Sequence, residues 1–360
     1  MKFVLFYHSL VSDWNHGNAH FLRGIAAELI ARGHRVEIYE PEDGWSLQHL
    51  LREQGEGPLK AFAQAYPTLS SNRYRILKLS EILSDADVVL VHEWNPPELV
   101  AKIGMEREQR AFALFFHDTH HRALTARAQM EAYDLRNFDG VLAFGKVLTD
   151  LYRNAGWAKR AWTWHEAADV RVFHPQSRVI QTVDVAWIGN WGDDERAAEI
   201  EEFFIDPVRQ LGIQATAYGV RYPAPALEAL SRAKINYQGW IPNFKVPEVF
   251  ATSRVTIHVP RRPYATALPG IPTIRPFEVL ACGVPLISAF WSDSEGLFRP
   301  GKDFLVAHDG SEMKKHLKAV LTNRHLAEEL TMHGRETILS RHTCAHRVEE
   351  LFQILEELRL

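Results

Sequence analysis

The chain has 360 residues, 46% hydrophobic and 24% charged, enough for two globular domains of roughly 100–200 residues each and unlike a disordered chain or a fibre. Forty-one Lys and Arg oppose 45 Asp and Glu, a net charge of −4, so no overall basic field exists to hold a nucleic-acid backbone and no nucleic-acid partner is expected. The two cysteines, Cys282 and Cys344, are too few for a disulfide framework or a sulfur-ligated zinc site and point to a reducing, cytoplasmic setting.

The opening run MKFVLFYHSL has too short an apolar core for a signal peptide and reads as a first buried strand. No stretch approaches the ~20 apolar residues of a spanning helix, so any membrane contact is expected to be peripheral. Short runs rich in Val, Leu and Phe recur at 2–7, 35–39, 87–92, 111–116 and 140–144. They are nearly continuous rather than alternating, as in parallel strands covered on both faces. Between the first two, Phe21, Leu22, Ile25, Ala26, Leu29 and Ile30 form one helical stripe with Gly33 as its stop, which makes a βαβ unit. Pro96 and Pro97 suit the first turn of another helix. Residues 164–175, ending in Asp169, Phe173, His174 and Pro175, read as a crossing linker.

After residue 180 the rhythm restarts, with strands at 183–188, 213–218, 235–237, 255–259 and 284–288 and helices at 195–204, 247–252 and 277–282. Three helices, 311–322, 326–340 and 346–358, close the chain. The expected fold class is α/β, with two Rossmann-like doubly wound parallel-sheet domains and C-terminal helices. The expected division is 1–168, 169–345 and a final helix, 346–360, able to pack back on the first domain.

In an open parallel sheet, ligands bind beyond the carboxyl ends of the strands. The loop 7–18 places Gly17 just before a helix, where backbone N–H groups can approach a phosphate; the G-x-G-x-x-G fingerprint is absent, which disfavours NAD. The second half opens with Gly189-Asn190-Trp191-Gly192, a turn suited to an anion, and Arg196 on the first helical turn can clamp a diphosphate. A solvated arginine in a surface pair is the alternative. Within 269–287, a turn feeds a helix whose N-terminal amides at Thr273, Ile274 and Arg275 point at an anion, and Glu278, one turn on, can accept hydrogen bonds from a ribose diol. Cys282 there reads as a small buried residue rather than a nucleophile. Asp193 and Asp194 are adjacent and lead into a helix, so they do not form an Asp-x-Asp metal pair.

His117 and Asp118 follow the strand read at 112–116, with His120 and His121 close by. A histidine at a strand's carboxyl end can hydrogen-bond a sugar or an acceptor hydroxyl. A structural cap is the second reading, and a metal site of His117, His120 and His121 the third, weakened by the lack of a spaced carboxylate. His92-Glu93-Trp94-Asn95 ends another strand and can line an acceptor side, with Trp94 or Trp14 stacking on a sugar; core packing is the other reading of each tryptophan.

Taken in order, these features resemble nucleotide-sugar glycosyltransferases of the GT-B fold, in particular the family-4-like enzymes and their CgeB-like relatives. The resemblance rests on Ala31-Arg32-Gly33-His34-Arg35-Val36, the His117-Asp118 pair, the linker 169–175, the Gly189-Asn190 turn with Arg196, Gly239-Trp240-Ile241-Pro242 before Val246-Pro247-Glu248-Val249-Phe250, and Glu278 leading to Ala281-Cys282-Gly283. It spans nearly the whole chain and implies a cytoplasmic hexosyltransferase with an interdomain cleft and a nucleoside-diphosphate-sugar donor, expected to be a UDP-sugar. The resemblance implies that Gly189, Asn190, Arg196, Thr273, Ile274 and Arg275 hold the diphosphate, Glu278 the ribose, and Trp240 and Ile241 the base. Gly17 would face the phosphate or donor sugar across the cleft, and His117 and Asp118 would be catalytic.

The resemblance further implies that no metal or resident cofactor is required and that anomeric configuration is retained. The acceptor, whether glycan, protein or small molecule, is not written in any motif. Many relatives carry a glutamate near the donor sugar, eight residues before the position matching Glu278; Gly270 stands there, a departure that CgeB-like members share. Arg275 is similar to the CgeB-like pattern and would supply charge that a metal supplies elsewhere. A nucleotide-sugar epimerase and a non-catalytic nucleotide-sugar-binding assembly protein are the alternative readings.

Overall fold

The computed structural model describes residues 1–177 and 179–358. The chain divides into two compact units, Met1–Glu166 with Cys344–Leu360, and Ala167–Thr343.

In the first unit, seven parallel strands lie in the order β3-β2-β1-β4-β5-β6-β7. They are β1 (Lys2–Phe6), β2 (Arg35–Pro41), β3 (Asn72–Tyr74), β4 (Val88–His92), β5 (Ala113–Asp118), β6 (Gly140–Ala143) and β7 (Ala161–Thr163). β1, β4 and β6 are buried at every position, as continuous apolar runs between two helical layers require. The helix Ala19–Ala31 buries Phe21, Leu22, Ile25, Ala26 and Leu29, and Gly33 closes it at φ +82°. The last helix, Cys344–Leu358, packs on this same unit: Phe352 meets Phe3 edge-on at 6.2 Å, and Trp164 Nε1 donates to the Arg347 carbonyl at 2.8 Å.

In the second unit, six parallel strands run β10-β9-β8-β11-β12-β13. These are β8 (Val183–Ile188), β9 (Ala215–Tyr218), β10 (Asn236–Tyr237), β11 (Ser253–His258), β12 (Leu286–Ala289) and β13 (Leu305–Ala307). Val185, Trp187, Phe204, Ile257, Ile287 and Met313 belong to its core. The single helix expected at 195–204 is instead a 3₁₀ turn (Asp193–Glu195), an α turn (Ala197–Ile200), a π turn (Glu201–Ile205) and an α segment (Asp206–Leu211). Pro207 accounts for the wide turn, since it has no N–H to donate and its ring crowds the carbonyl one turn back.

Both sheets share one topological feature. The chain leaves β1 and β4 on opposite sides in the first unit, and β8 and β11 on opposite sides in the second, so each sheet has a switch point at which the strand ends open a crevice.

Polar residues are buried at the first of these points. Arg23, fully buried, donates from Nε to the Leu10 carbonyl at 2.8 Å, from Nη1 to Asp13 at 2.8 Å and from Nη2 to the Val11 carbonyl at 2.9 Å. It therefore fixes the loop between β1 and the helix Ala19–Ala31. His92 and His117 are paired in register on β4 and β5. Burial holds His117 down at about 3; burial, then the neighbouring His8 and His117, hold His92 well below the usual imidazole range.

Two outcomes follow from these groups. Arg23→Met removes a buried charge partner of Asp13 and three hydrogen bonds to the loop and should cost about 3–5 kcal/mol in urea unfolding; a loss below 1 kcal/mol would show that the pair does not hold the loop. For His117, the unfolded chain binds a proton near pH 6.5 that the native ring refuses until about 3. Its contribution is therefore complete above pH 6.5 and is lost as pH falls. Asp118, raised to about 6 by burial, acts in the opposite sense, so the difference between proteins is the informative quantity. Between pH 6 and 4 the parent should lose about 1.4 kcal/mol per pH unit relative to His117→Asn, and parallel urea-midpoint curves would refute a neutral native ring.

Candidate functional site

At the switch point of the second unit, β8 delivers Gly189 and Asn190. The Gly189 N–H donates to the Tyr218 carbonyl at 2.9 Å, and Asn190 Oδ1 accepts from the Val220 N–H at 3.0 Å. The loop after β9 lies against this turn backbone to backbone: a Cβ on Gly219, at φ +149°, would stand 2.1 Å from the Gly189 carbonyl oxygen. Gly192 then turns at φ +83° and leads to Arg196.

The Arg196 guanidinium joins the two strand ends. Nη2 donates to the Asn190 carbonyl and Nη1 to the Val259 carbonyl at 3.1 Å, while the group lies 5.2 Å over the Trp187 ring. Its Nε is buried without a hydrogen-bond partner among the described residues. Burial, then the charges of Arg261 and Arg275, bring its pKa down to about 9 against the opposing Tyr222 and Glu195. Arg261 pairs with Glu195 at 2.8 Å. His258, buried at the end of β11, shares a 2.9 Å hydrogen bond with Ser288 and is held at about 3 by burial and by Arg196 and Arg275.

The helix Ile274–Cys282 begins beside this cluster of cations. Thr273 is its N-cap, at φ 60° and ψ 179°, a conformation essentially confined to glycine that costs a β-branched residue about 1–3 kcal/mol. Ile274 is buried at the first helical position and Arg275 is half-buried at the second. Glu278 is fully buried; Oε1 accepts from Asn243 Nδ2 at 2.8 Å and Oε2 from Arg275. Trp240 and Ile241 are half-buried in the turn between β10 and Asn243, after Gly239 at φ +72°. Gly189, Asn190, Arg196, Thr273, Ile274, Arg275, Glu278, Trp240 and Ile241 all lie in this unit, whereas Gly17, His117 and Asp118 lie in the first.

In the first unit, Gly17 is exposed and precedes Asn18, whose Nδ2 donates to the Thr119 carbonyl at 3.0 Å and to its hydroxyl at 2.7 Å. His117 and Asp118 do not follow the strand but belong to it, since β5 continues to Asp118 and the Asp118 carbonyl accepts from the Phe144 N–H at 3.1 Å. That is a correction of the strand end at 116. The ladder tolerates polar side chains there because each is buried among partners. The His117 ring meets Trp164 at 4.9 Å and His92 at 5.5 Å, and its Nε2 has no hydrogen-bond partner among the described residues. Asp118 accepts from the His120 N–H at 3.0 Å and from the Tyr152 hydroxyl at 2.8 Å. Trp14 is core, with Nε1 donating to Glu53 at 2.7 Å, while Trp94 is 42% exposed. Among the described residues, no group of three His, Cys, Asp or Glu side chains is placed to hold a metal ion.

Sequence reasoning missed Arg261, Asn243 and His258. Arg261 had a signal, being a cation just past the carboxyl end of a buried strand; Asn243 had none, because only the tertiary fold brings it to Glu278.

Residues 196–353 match a family model described as glycosyl transferase-like, and residues 16–172 match that of glycosyltransferase family 4. No curated protein matches the sequence. Among solved structures, sucrose-phosphate synthase from Thermosynechococcus elongatus superposes with a TM-score of 0.66 at 14% identity over 99% of this chain and 98% of its own. Anabaena HepE in complex with UDP-glucose gives 0.69 at 11% identity over 99% and 100%. An alpha-glucosyltransferase in complex with UDP-glucose and DNA containing an abasic site gives 0.68 at 14% over 99% and 99%. With one family model on each unit and this fold shared from end to end, the chain belongs to the family-4-like glycosyltransferases of the GT-B fold.

Proposed function

We propose that this glycosyltransferase moves a hexosyl group from a UDP-sugar to an acceptor hydroxyl, without a metal ion and with retention of anomeric configuration. The observation that carries the donor assignment is the Arg196 guanidinium, half-buried, with a buried unpartnered Nε, and crowded by Arg261 and Arg275 at the start of the helix Ile274–Cys282. Such an excess of positive charge favours a dianion, and a helix N-terminus adds amide donors of the same sense. UDP-glucose complexes of two structural neighbours support uridine as the base.

In this reading, Gly189, Asn190, Arg196, Thr273, Ile274 and Arg275 surround the diphosphate, and Trp240 and Ile241 border the base. Glu278, oriented by Asn243 and Arg275, takes the ribose, since a carboxylate is an acceptor at both oxygens and a diol supplies two donors. As the glycosidic bond breaks, charge gathers on the leaving diphosphate, and fixed cations at that point lower the barrier. They supply the charge a divalent ion would bring, which is the support for metal independence.

The first unit is assigned the acceptor, with Gly17, His117 and Asp118 serving transfer; burial keeps the His117 ring neutral, and its buried Nε2 is available to a hydroxyl as a hydrogen-bonding group rather than as a strong base. A reducing, cytoplasmic setting fits two buried thiols, and no helix among the described residues is long and apolar enough to cross a membrane. Nucleic acid is outside this reading on the net charge of −4, although one structural neighbour holds DNA. The family models favour transfer over epimerisation.

A thermal-shift panel of UDP, GDP, ADP and NAD, with and without EDTA, tests the donor. UDP at about 100 times its dissociation constant should add ~2.7 kcal/mol of stability in either buffer; stabilisation by NAD alone, or by UDP only with Mg²⁺, would overturn the assignment. Arg196→Ala and Glu278→Ala should each weaken UDP binding about 10- to 100-fold, the loss of one or two charged hydrogen bonds, and parental affinity in both would remove the site. His117→Ala should lower turnover more than UDP affinity. An inverted product in anomeric proton NMR would refute retention.

A further inference from the structure

At the switch point of the first unit, four histidines converge from three elements. His8 follows β1, His92 ends β4 and His117 lies beside it on β5, while His16 comes from the loop that Arg23 fixes. His16 is 8% exposed, and its ring lies 4.1 Å from that of His8 and 6.3 Å from that of His92. Neither His16 nitrogen has a well-formed hydrogen bond among the described residues. A buried imidazole whose one polar contact among the described residues is a poorly aligned approach to the Ser12 backbone is costly in a folded protein and points to a ligand that completes it. The rim is partly open: His8 is half-buried, and Trp94, 42% exposed, stands 6.2 Å from it.

The chemistry of the ligand follows from the charge state of the cluster. Burial, reinforced by His8 and Arg23, holds His16 well below the usual imidazole range against the opposing Ser12 backbone; burial and Arg122 hold His8 at about 3. The two guanidiniums whose fields reach these rings are already tied, Arg23 to Asp13 and Arg122 to Glu93. An anionic ligand would find neutral rings and committed cations. A neutral imidazole offers one donor and one acceptor, as does a hydroxyl, and the Trp94 indole, which carries the Arg122 guanidinium 3.9 Å over its ring, keeps enough exposed apolar surface for sugar C–H groups to cover.

We propose that His8 and His16, with Trp94 at the rim and His92 holding His8 from behind through a 3.2 Å Nδ1–Nδ1 hydrogen bond, form the binding site for a neutral saccharide, which is the acceptor of the transfer reaction. This rests on the reading that the first unit takes the acceptor, and it narrows the acceptor from any hydroxyl-bearing molecule to an uncharged carbohydrate.

Neutral disaccharides (maltose, lactose, cellobiose and trehalose), glucose 6-phosphate and a 13-mer DNA duplex are each titrated into the full chain, with and without UDP. Imidazole ¹⁵N shifts and tryptophan fluorescence report binding. At least one disaccharide should move the His8 and His16 signals. His16→Leu and Trp94→Ala should each weaken that binding at least 10-fold, while UDP affinity stays within 2-fold and His16→Gln, which keeps a donor and an acceptor, restores most of it. Response to none of the disaccharides, response only to the phosphorylated sugar or to DNA, or saccharide affinity unchanged in both variants would overturn the proposal. Failure of UDP to bind while a disaccharide still moves His16 would strike the donor reading and leave the saccharide site standing.

Discussion

Three guanidiniums lie near the carboxyl ends of β8 and β11, and the constraint on this part of the second unit is to hold them together with Arg196 taken out of water. Arg196 is not a side chain waiting in solvent. It bonds the carbonyl that leaves β8 and the carbonyl that leaves β11, so one group ties the two strand ends together. Arg261 and Arg275 each have one acidic partner, Glu195 and Glu278, which lowers the cost of bringing them near Arg196 without cancelling it, since Arg196 still feels both. The strained Thr273 sits where the helix begins. Backbone strain of that size persists only where surrounding packing over-determines it, and here Ile274, Pro276, Phe277 and Val279 are all buried immediately after it.

The two switch points solve opposite electrostatic problems. In the second unit, cations are gathered at the strand ends with their charge incompletely matched. In the first, the cations are paired and the strand ends present neutral rings, because desolvation at His8, His16, His92 and His117 disfavours the charged form more than any neighbour restores it. One architecture therefore carries an excess of positive charge at one switch point and neutral imidazoles at the other, the contrast on which the proposed division between donor and acceptor rests. Topology places both sites; side-chain chemistry alone makes them different.

The elements legible in the sequence were those whose signal is local. Strands buried on both faces announce themselves as runs of Val, Leu and Phe, and the helix Ala19–Ala31 as an apolar stripe ended by glycine. The edge strands β3, β7 and β13 carry no such signal, because they are three residues each, and a strand of that length is set by the neighbour that pairs with it. In the site, Arg196 and Glu278 were visible through their spacing from a glycine turn and a helix start. Asn243, which orders Glu278 from 35 residues away, was not, and neither was the convergence of His8, His16 and His92, since each lies in a separate segment and none forms a motif with its own neighbours.

Gly270 shows why spacing alone misleads at such a site. The family resemblance implies a glutamate at this position, and glycine stands there instead. In the fold, Gly270 adopts φ +88°, and a Cβ there would stand 2.4 Å from Oε1 of Glu295. Any side chain at 270 would thus be opposed twice, by the left-handed backbone and by a carboxylate already in the space. That carboxylate comes from a different loop, after β12, where no fixed distance from Glu278 could reveal it. A side chain at 270 would therefore have to displace Glu295, so replacing the glycine would disturb a packing arrangement rather than restore a motif.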